Sequence, residues 1–203
     1  MRKQTTLEMQ RLTVEQYKEA EKMPLAIVLD DVRSLHNVGS VFRTADSFRA
    51  EKVCLCGITA QPPAPEIHKT ALGAEESVAW QHYANAVDCV NALHEQGYMV
   101  FAVEQCHGST MLQDLVLPPI VDAAPTGNDV VNATETKKPS EGKALKYAVV
   151  LGNEVRGVHQ EVVDLCDGCI EIPQLGTKHS LNVSVTAGII IWEFARQLLF
   201  SKQ

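Results

Sequence analysis

The stretch from Gly168 to Gln197, GCIEIPQLGTKHSLNVSVTAGIIIWEFARQ, constrains the fold more than any other, because an apolar strand passes through a Gly-Thr-Lys-His loop straight into a long apolar helix. Ser180, Leu181 and Asn182 sit at the mouth of that helix. Two loops of the same kind lie upstream. Asn37-Val-Gly-Ser-Val-Phe-Arg43 follows an apolar run over 25–30, and Gly152-Asn-Glu-Val-Arg-Gly157 follows one over 146–151. Three polar, glycine-bearing loops at strand ends imply one shared site.

Around these loops the pattern alternates. It predicts helices over 38–49, 84–96, 160–164 and 181–200, and strands over 25–30, 52–58, 99–104, 146–151 and 169–172. Short apolar strands separated by helices favour an α/β fold with a parallel sheet covered on both faces. With 203 residues, 45% of them hydrophobic, the chain can bury one good core but not two. Residues 1–24 read as an extension with one short helix, marked by Thr13 and Gln16 in capping-box spacing and by Pro24 beyond its end. Residues 25–203 form the domain, with 118–143, rich in Pro, Gly, Asn, Thr and Ser, expected to be a mobile surface loop. The closing helix is apolar almost all round, so it is expected to be buried centrally or in a dimer.

No run of about 18 uninterrupted apolar residues occurs, and the first residues lack a secretion pattern, so a soluble cytoplasmic protein is expected with no membrane partner. The six cysteines lack a paired framework, and Cys166-Asp-Gly-Cys169 has no second pair to complete a metal set; neither disulfides nor a metal are expected. The net charge of −7 is unevenly placed. Between Thr70 and Thr136 there are nine acids and no Lys or Arg, so the remainder holds 18 bases against 16 acids. Arg33, Arg43, Arg49, Arg156 and Lys178 lie in or beside the loops, which permits an anionic partner there, though a mixed solvated surface would look similar.

The loops do not fit a phosphate cradle, since neither GxxxxGK[ST] nor GxGxxG is present. Glycine at a strand end lets backbone groups approach and read an uncharged ligand edge. Arg43, placed about one turn into its helix beyond a junction at Gly39, offers a fork suited to phosphate, or an ion pair with Asp46 or Glu51. Glu154 suits a cap or an ion pair with Arg156, and Ser180 and Asn182 suit helix caps.

In order, however, N-x-G-x-x-x-R, G-x-E-x-x-G and I-P-x-x-G-x-x-x-S-L-N-V-S-V resemble the three motifs of the SpoU (TrmH) family of RNA 2′-O-ribose methyltransferases in the SPOUT superfamily, over Leu25 to Gln197. The resemblance implies a parallel α/β fold whose C-terminal part forms a deep trefoil knot, here from Val149 to Gln197. It implies S-adenosylmethionine bound against Leu151, Gly152, Asn153, Glu154, Ile172, Pro173, Gly176, Ser180, Leu181 and Asn182, and a homodimer through the closing helix and knot. It also implies catalytic roles for Asn37, Arg43, Glu154, Ser180 and Asn182, and RNA contacts from Arg33, Arg43, Arg156 and Lys178. In that family Arg43 would be the general base. A guanidinium hardly deprotonates in a protein, so Arg43 is expected instead to clamp a phosphate and stabilise charge on the 2′-oxygen, held in place by Asn37.

Where many members have methionine after Ile-Pro, Gln174 stands here. The IPQ-G-SLNV-S-IWE form is similar to relatives that methylate the D-loop guanosine of transfer RNA. Without the extra RNA-binding domain of several ribosomal RNA members, the chain favours transfer RNA over ribosomal RNA. Two other classes compete: a non-catalytic RNA-binding or cofactor-sensing module, and a small-molecule methyltransferase of the antibiotic-resistance kind.

Overall fold

The computed structural model describes residues 1–5, 8–118 and 145–200. The expected loop at 118–143 lies outside them except for Pro118, whose carbonyl accepts the Tyr147 hydroxyl at 3.0 Å. Seven strands form one sheet: β1 Met23–Asp30, β2 Ala50–Cys56, β3 Ala79–Tyr83, β4 Tyr98–Val103, β5 Thr110–Met111, β6 Lys146–Leu151 and β7 Gly168–Glu171. Their order is β3-β2-β1-β6-β4-β7-β5, and every pairing is parallel.

The period-2 alternation of strand side chains divides the core in two. One face carries Leu25, Ile27, Leu29, Val53, Leu55, Tyr147, Val149 and Leu151, covered by α2 Leu35–Ser47, α3 Pro65–Ala71 and α7 Val183–Ala195. The other carries smaller residues, Ala26, Val28, Cys54, Cys56, Ala102, Ala148 and Val150, covered by α5 Ala86–Glu95 and α6 Gln160–Leu165. Burial on both faces explains why β1 and β6 read as continuous apolar runs. All six cysteines are free thiols, and Cys54, Cys56 and Cys89 pack in the second face.

β1 and β6 are neighbours at the centre, yet α2 after β1 covers one face while α6 after β6 covers the other. Loops leaving adjacent strands in opposite directions open a crevice at the strand C-termini, where open α/β sheets bind ligands. β7, the last strand in sequence, lies between β4 and β5.

Several boundaries differ from the sequence reading. α1 Val14–Glu19 has its capping box, Thr13 N donating to Gln16 Oε1 at 3.0 Å and Gln16 N to Thr13 Oγ1 at 3.2 Å, but Pro24 lies within β1, and Tyr17 packs into the main core. α2 begins at Leu35, capped by Ser34, so Asn37 and Gly39 are helical rather than loop residues. A Cβ on Gly39 would overlap Thr70 Oγ1 and the Ile67 carbonyl, so this glycine admits α3 and not a ligand. The proline-bearing stretch after β2, for which no helix was expected, contains α3 with Pro65 at its first position, followed by the short α4 Ala74–Ser77 and by β3.

The closing helix Val183–Phe200, whose last five residues are π-helical, is apolar and long enough by composition to cross a membrane, with a mean hydropathy of 1.4. One side of it is buried through Ala187, Ile190, Ile191 and Phe194, the last packing edge-on against Tyr147 at 5.7 Å between ring centroids. On its other side Val185 and Trp192 are half exposed.

Candidate active site

The loops after β4, β6 and β7 enclose an open cavity of about 660 Å³, ample for a small-molecule ligand. Its shape starts in the G-N-E-V-R-G loop. Asn153 and Gly157 exchange both backbone hydrogen bonds, at 3.0 and 2.9 Å, and the Asn153 side chain accepts from Val155 N and Arg156 N while donating to the Asp31 carbonyl at 2.8 Å. A Cβ on Gly152 would overlap the Gly157 and Val158 backbone, so that glycine is required by the tight return of its own loop.

The return aims Glu154 across the crevice at β1–α2. Its carboxylate accepts from Arg33 N and Ser34 N, both at 3.0 Å, and from Asn37 Nδ2 at 3.1 Å. Partial burial raises the Glu154 pKa, but these donors, together with its own backbone N–H, outweigh that and hold the carboxyl below its usual range. Asn37 Oδ1 in turn accepts from Asn182 Nδ2 at 3.2 Å, and Asn182 Oδ1 caps α7 through Ser184 N and Val185 N. Asn37, more than a hundred residues from either in sequence, thus joins Glu154 and Asn182 in one hydrogen-bonded chain that ties the three motifs together.

With that chain in place, the comparisons decide the family. The sequence profile of the SpoU rRNA Methylase family matches residues 24–192. The chain belongs to the SpoU family. A Staphylococcus aureus (strain MSSA476) protein assigned to the TrmH family tRNA/rRNA methyltransferases is 27% identical over 184 residues, covering 91% of this chain and 63% of that protein. Among solved structures, a protein from Porphyromonas gingivalis assigned to the RNA methyltransferases of the TrmH family matches with a TM-score of 0.66 and 27% identity, over 85% of this chain and 59% of that one. An AdoMet-bound rRNA methyltransferase from Sinorhizobium meliloti shares the fold with a TM-score of 0.69 at 24% identity, over 91% and 61% of the two chains. The chain therefore spans about three fifths of the length of these relatives.

Of the residues the SpoU motifs single out, Leu151, Gly152, Asn153, Glu154, Ile172, Ser180, Leu181 and Asn182 line the cavity, whereas Pro173 and Gly176 do not. Ser180 is exposed there and does not cap the helix; Asn182 does. Lys178 is exposed outside the cavity lining. Arg43 also stands apart from it. It shares the solvent face of α2 with His36 and Ser47, turned away from Asn37 by the helical period. Asn37 therefore orients Glu154 and Asn182 rather than Arg43. The alternative ion pairs of Arg43 are not formed: Asp46 accepts from Ser77 Oγ, and Glu51 pairs with Lys146.

Arg33 and Arg156 line a second cavity of about 310 Å³ together with Asp31, Ile58 and His159. Among the described residues none of Arg33, Arg43 and Arg156 makes an ion pair, and Glu154 does not pair with Arg156. His159, at the start of α6, donates from both its backbone N (3.1 Å) and Nδ1 (2.9 Å) to Asp30 Oδ2, a buried carboxylate at the end of β1. That bond, then the Asp30 charge and the nearby Asp31, raise the His159 pKa against a smaller effect of burial.

Sequence reasoning missed the end of β4. Glu104 accepts from Gln105 N at 2.9 Å and from Val158 N at 3.1 Å, while Gln105 Nε2 donates to the His179 carbonyl at 3.0 Å. This polar pair grips the loop after β6 and the loop before α7 at once, and both residues line the cavity. The signal was present: two polar residues closing the apolar run YMVFAV at a strand C-terminus.

Proposed function

We propose that the chain is an S-adenosylmethionine-dependent RNA methyltransferase acting on a ribose 2′-hydroxyl, with transfer RNA favoured over ribosomal RNA. The observation that carries the reading is the Glu154–Asn37–Asn182 chain beside a cavity of ligand size, in a member of a family whose relatives include an AdoMet-bound enzyme. The cavity suits such a cofactor: backbone groups of 151–158 and 179–182 line it for an adenine edge, and apolar Val103, Leu151 and Ile170 line it for the flat ring.

When bound, the cofactor supplies an electrophilic methyl group on a sulfonium. The chain's own residues then have to align the 2′-oxygen with that methyl, and such alignment can lower a barrier by about 7–11 kcal/mol. Asn182 and Asn37 fix the loop edges on which the acceptor rests. Arg33 and Arg156, uncommitted at the rim, receive RNA phosphates. Arg43 stabilises negative charge developing at the 2′-oxygen and clamps the adjacent phosphate, while the proton leaves to phosphate or water.

Because Arg43 faces away from its own cavity, we place it in the site of a second copy. The half-exposed Val185 and Trp192 on α7 offer an apolar surface for a homodimer, and Trp192 touches Phe48 at the end of α2, the helix that carries Arg43. We also place the family's knot here, since β7 enters the sheet between β4 and β5. Free thiols throughout suit a reducing cytoplasm.

The test is methyl transfer from labelled S-adenosylmethionine to unmodified transfer RNA and, separately, to ribosomal RNA, with nucleoside analysis. A labelled 2′-O-methyl nucleoside from transfer RNA is expected. Label in ribosomal RNA alone would move the substrate, label on a base would overturn the ribose assignment, and absent label despite cofactor binding would favour a non-catalytic module.

A further inference from the structure

Glu104 belongs to none of the three motif loops, yet the G-N-E-V-R-G loop is shaped around it. Gly157 has a positive φ of 70°, and a Cβ there would overlap Glu104 Oε2. Val158 N then donates to the same oxygen at 3.1 Å, and Gln105 N to Oε1 at 2.9 Å. The carboxylate is therefore held in one orientation by two backbone donors, one on each oxygen.

Two carboxylates line the cavity, and they differ in what they have left to offer. Glu154 is occupied by three donors from β1–α2. Glu104 has one donor per oxygen and no cation paired with it among the described residues, so each oxygen keeps an acceptor site. Two acceptor sites on one rigid, planar group match two vicinal hydroxyls, the way an acidic residue at a strand end reads the ribose of a dinucleotide.

We propose that Glu104 accepts hydrogen bonds from the 2′- and 3′-hydroxyls of the cofactor's ribose, and so selects an intact ribose. The proposal rests on the S-adenosylmethionine reading above. Its position fits: the loop after β4 lies between the loops after β6 and β7, and Gln105 holds the latter through the His179 carbonyl at 3.0 Å.

The experiment is calorimetric binding of S-adenosylhomocysteine, its 2′-deoxy and 3′-deoxy analogues, and methylthioadenosine, to the wild type, Glu104→Ala and Glu104→Gln, each checked for an unchanged melting transition. The wild type should bind each deoxy analogue roughly tenfold or more weakly than the parent, as for loss of a hydrogen bond to a charged group. In Glu104→Ala that discrimination should fall to about twofold or less, with Glu104→Gln between the two. Equal weakening of all ligands in Glu104→Ala, with discrimination preserved, would reduce Glu104 to a prop for its loop and overturn the proposal. Selective loss of the preference for S-adenosylhomocysteine over methylthioadenosine would reassign Glu104 to the ammonium group and equally overturn it. If the wild type binds none of these ligands, the cofactor reading itself fails; if it binds them without discriminating, only the Glu104 proposal does.

Discussion

The two ends of the sheet use charge in opposite ways. At the N-terminal ends of the strands, opposite charges and rings neutralise one another: Lys146 pairs with Glu51 at 2.8 Å, Lys52 donates to the side-chain Oε1 of Gln96 at 2.7 Å, and both ammonium groups lie over the Tyr98 ring. At the C-terminal ends the acids turn instead to backbone N–H groups of neighbouring loops, Glu154 to 33–34, Glu104 to 105 and 158, Asp30 to 159. Carboxylates committed to backbone leave Arg33 and Arg156 without acidic partners among the described residues. Basic groups without partners beside a cavity are what a polyanion requires, even in a chain whose net charge is −7.

The sharpest test sets Arg43, on the solvent face of α2, against Arg49, which precedes β2. Arg43→Ala should lower turnover by about 10² or more, the scale of one lost transition-state donor, with cofactor affinity nearly unchanged, whereas Arg49→Ala should leave turnover within about twofold. Equal losses in single-turnover assays would erase the distinction. The cross-subunit placement sharpens it further. Mixed Arg43→Ala and Asn182→Ala protomers should regain activity, to about a quarter of wild type for random dimers with one intact site in each heterodimer; no recovery on mixing would keep Arg43 in its own protomer.

Asn37→Ala interrupts the chain between Glu154 and Asn182. We expect about 1–2 kcal/mol less stability in urea melts and roughly tenfold weaker cofactor binding. Wild-type binding would show that the three loops hold their places without it. Arg156→Ala should act more gently, raising the apparent KM for RNA severalfold and reducing the slope of log affinity against log salt by about one. An unchanged slope would remove Arg156 from the interface.

The smallest effect is in stability against pH. The folded pKa of His159 is raised, so its bond to Asp30 stabilises the fold fully below the unfolded value near 6.5, and that contribution is lost as pH rises through the folded pKa. His159→Asn should therefore lower the melting temperature more at pH 6 than at pH 9. The reverse order would mean that the imidazole is held neutral.

Strands buried on both faces were legible because nearly every residue in them is apolar; 146–151 agrees residue for residue. β3 was not, since AWQHY is a sheet edge whose first three residues are exposed, so no burial pattern marks it. Glycine was the least reliable sign. Gly39 suggested backbone approach to a ligand but serves a helix contact, whereas Gly152 lines the cavity and is also required by the tight return of its loop. In the site, Asn37, Glu154 and Asn182 were found from motif order, while the direction of Arg43 could not be, because a three-residue error in the start of α2 hid how far around the helix it lies from Asn37.

The position of β7 also governs the order in which the molecule can be built. β4 and β5 are joined by a short connection, yet neither pairs with the other; β5 pairs only with β7, and β7 also takes the edge of β4 that β6 leaves open, although it begins more than 50 residues later. A nascent chain that has emerged through β6 therefore holds a sheet with an empty slot and an unpaired ribbon, and cooperative closure must wait for synthesis to pass β7. Contacts as distant in sequence as His159 with Asp30 make that closure slow by their loop entropy. On the ribosome, this domain is expected to remain a client of chaperones until its last third has been translated.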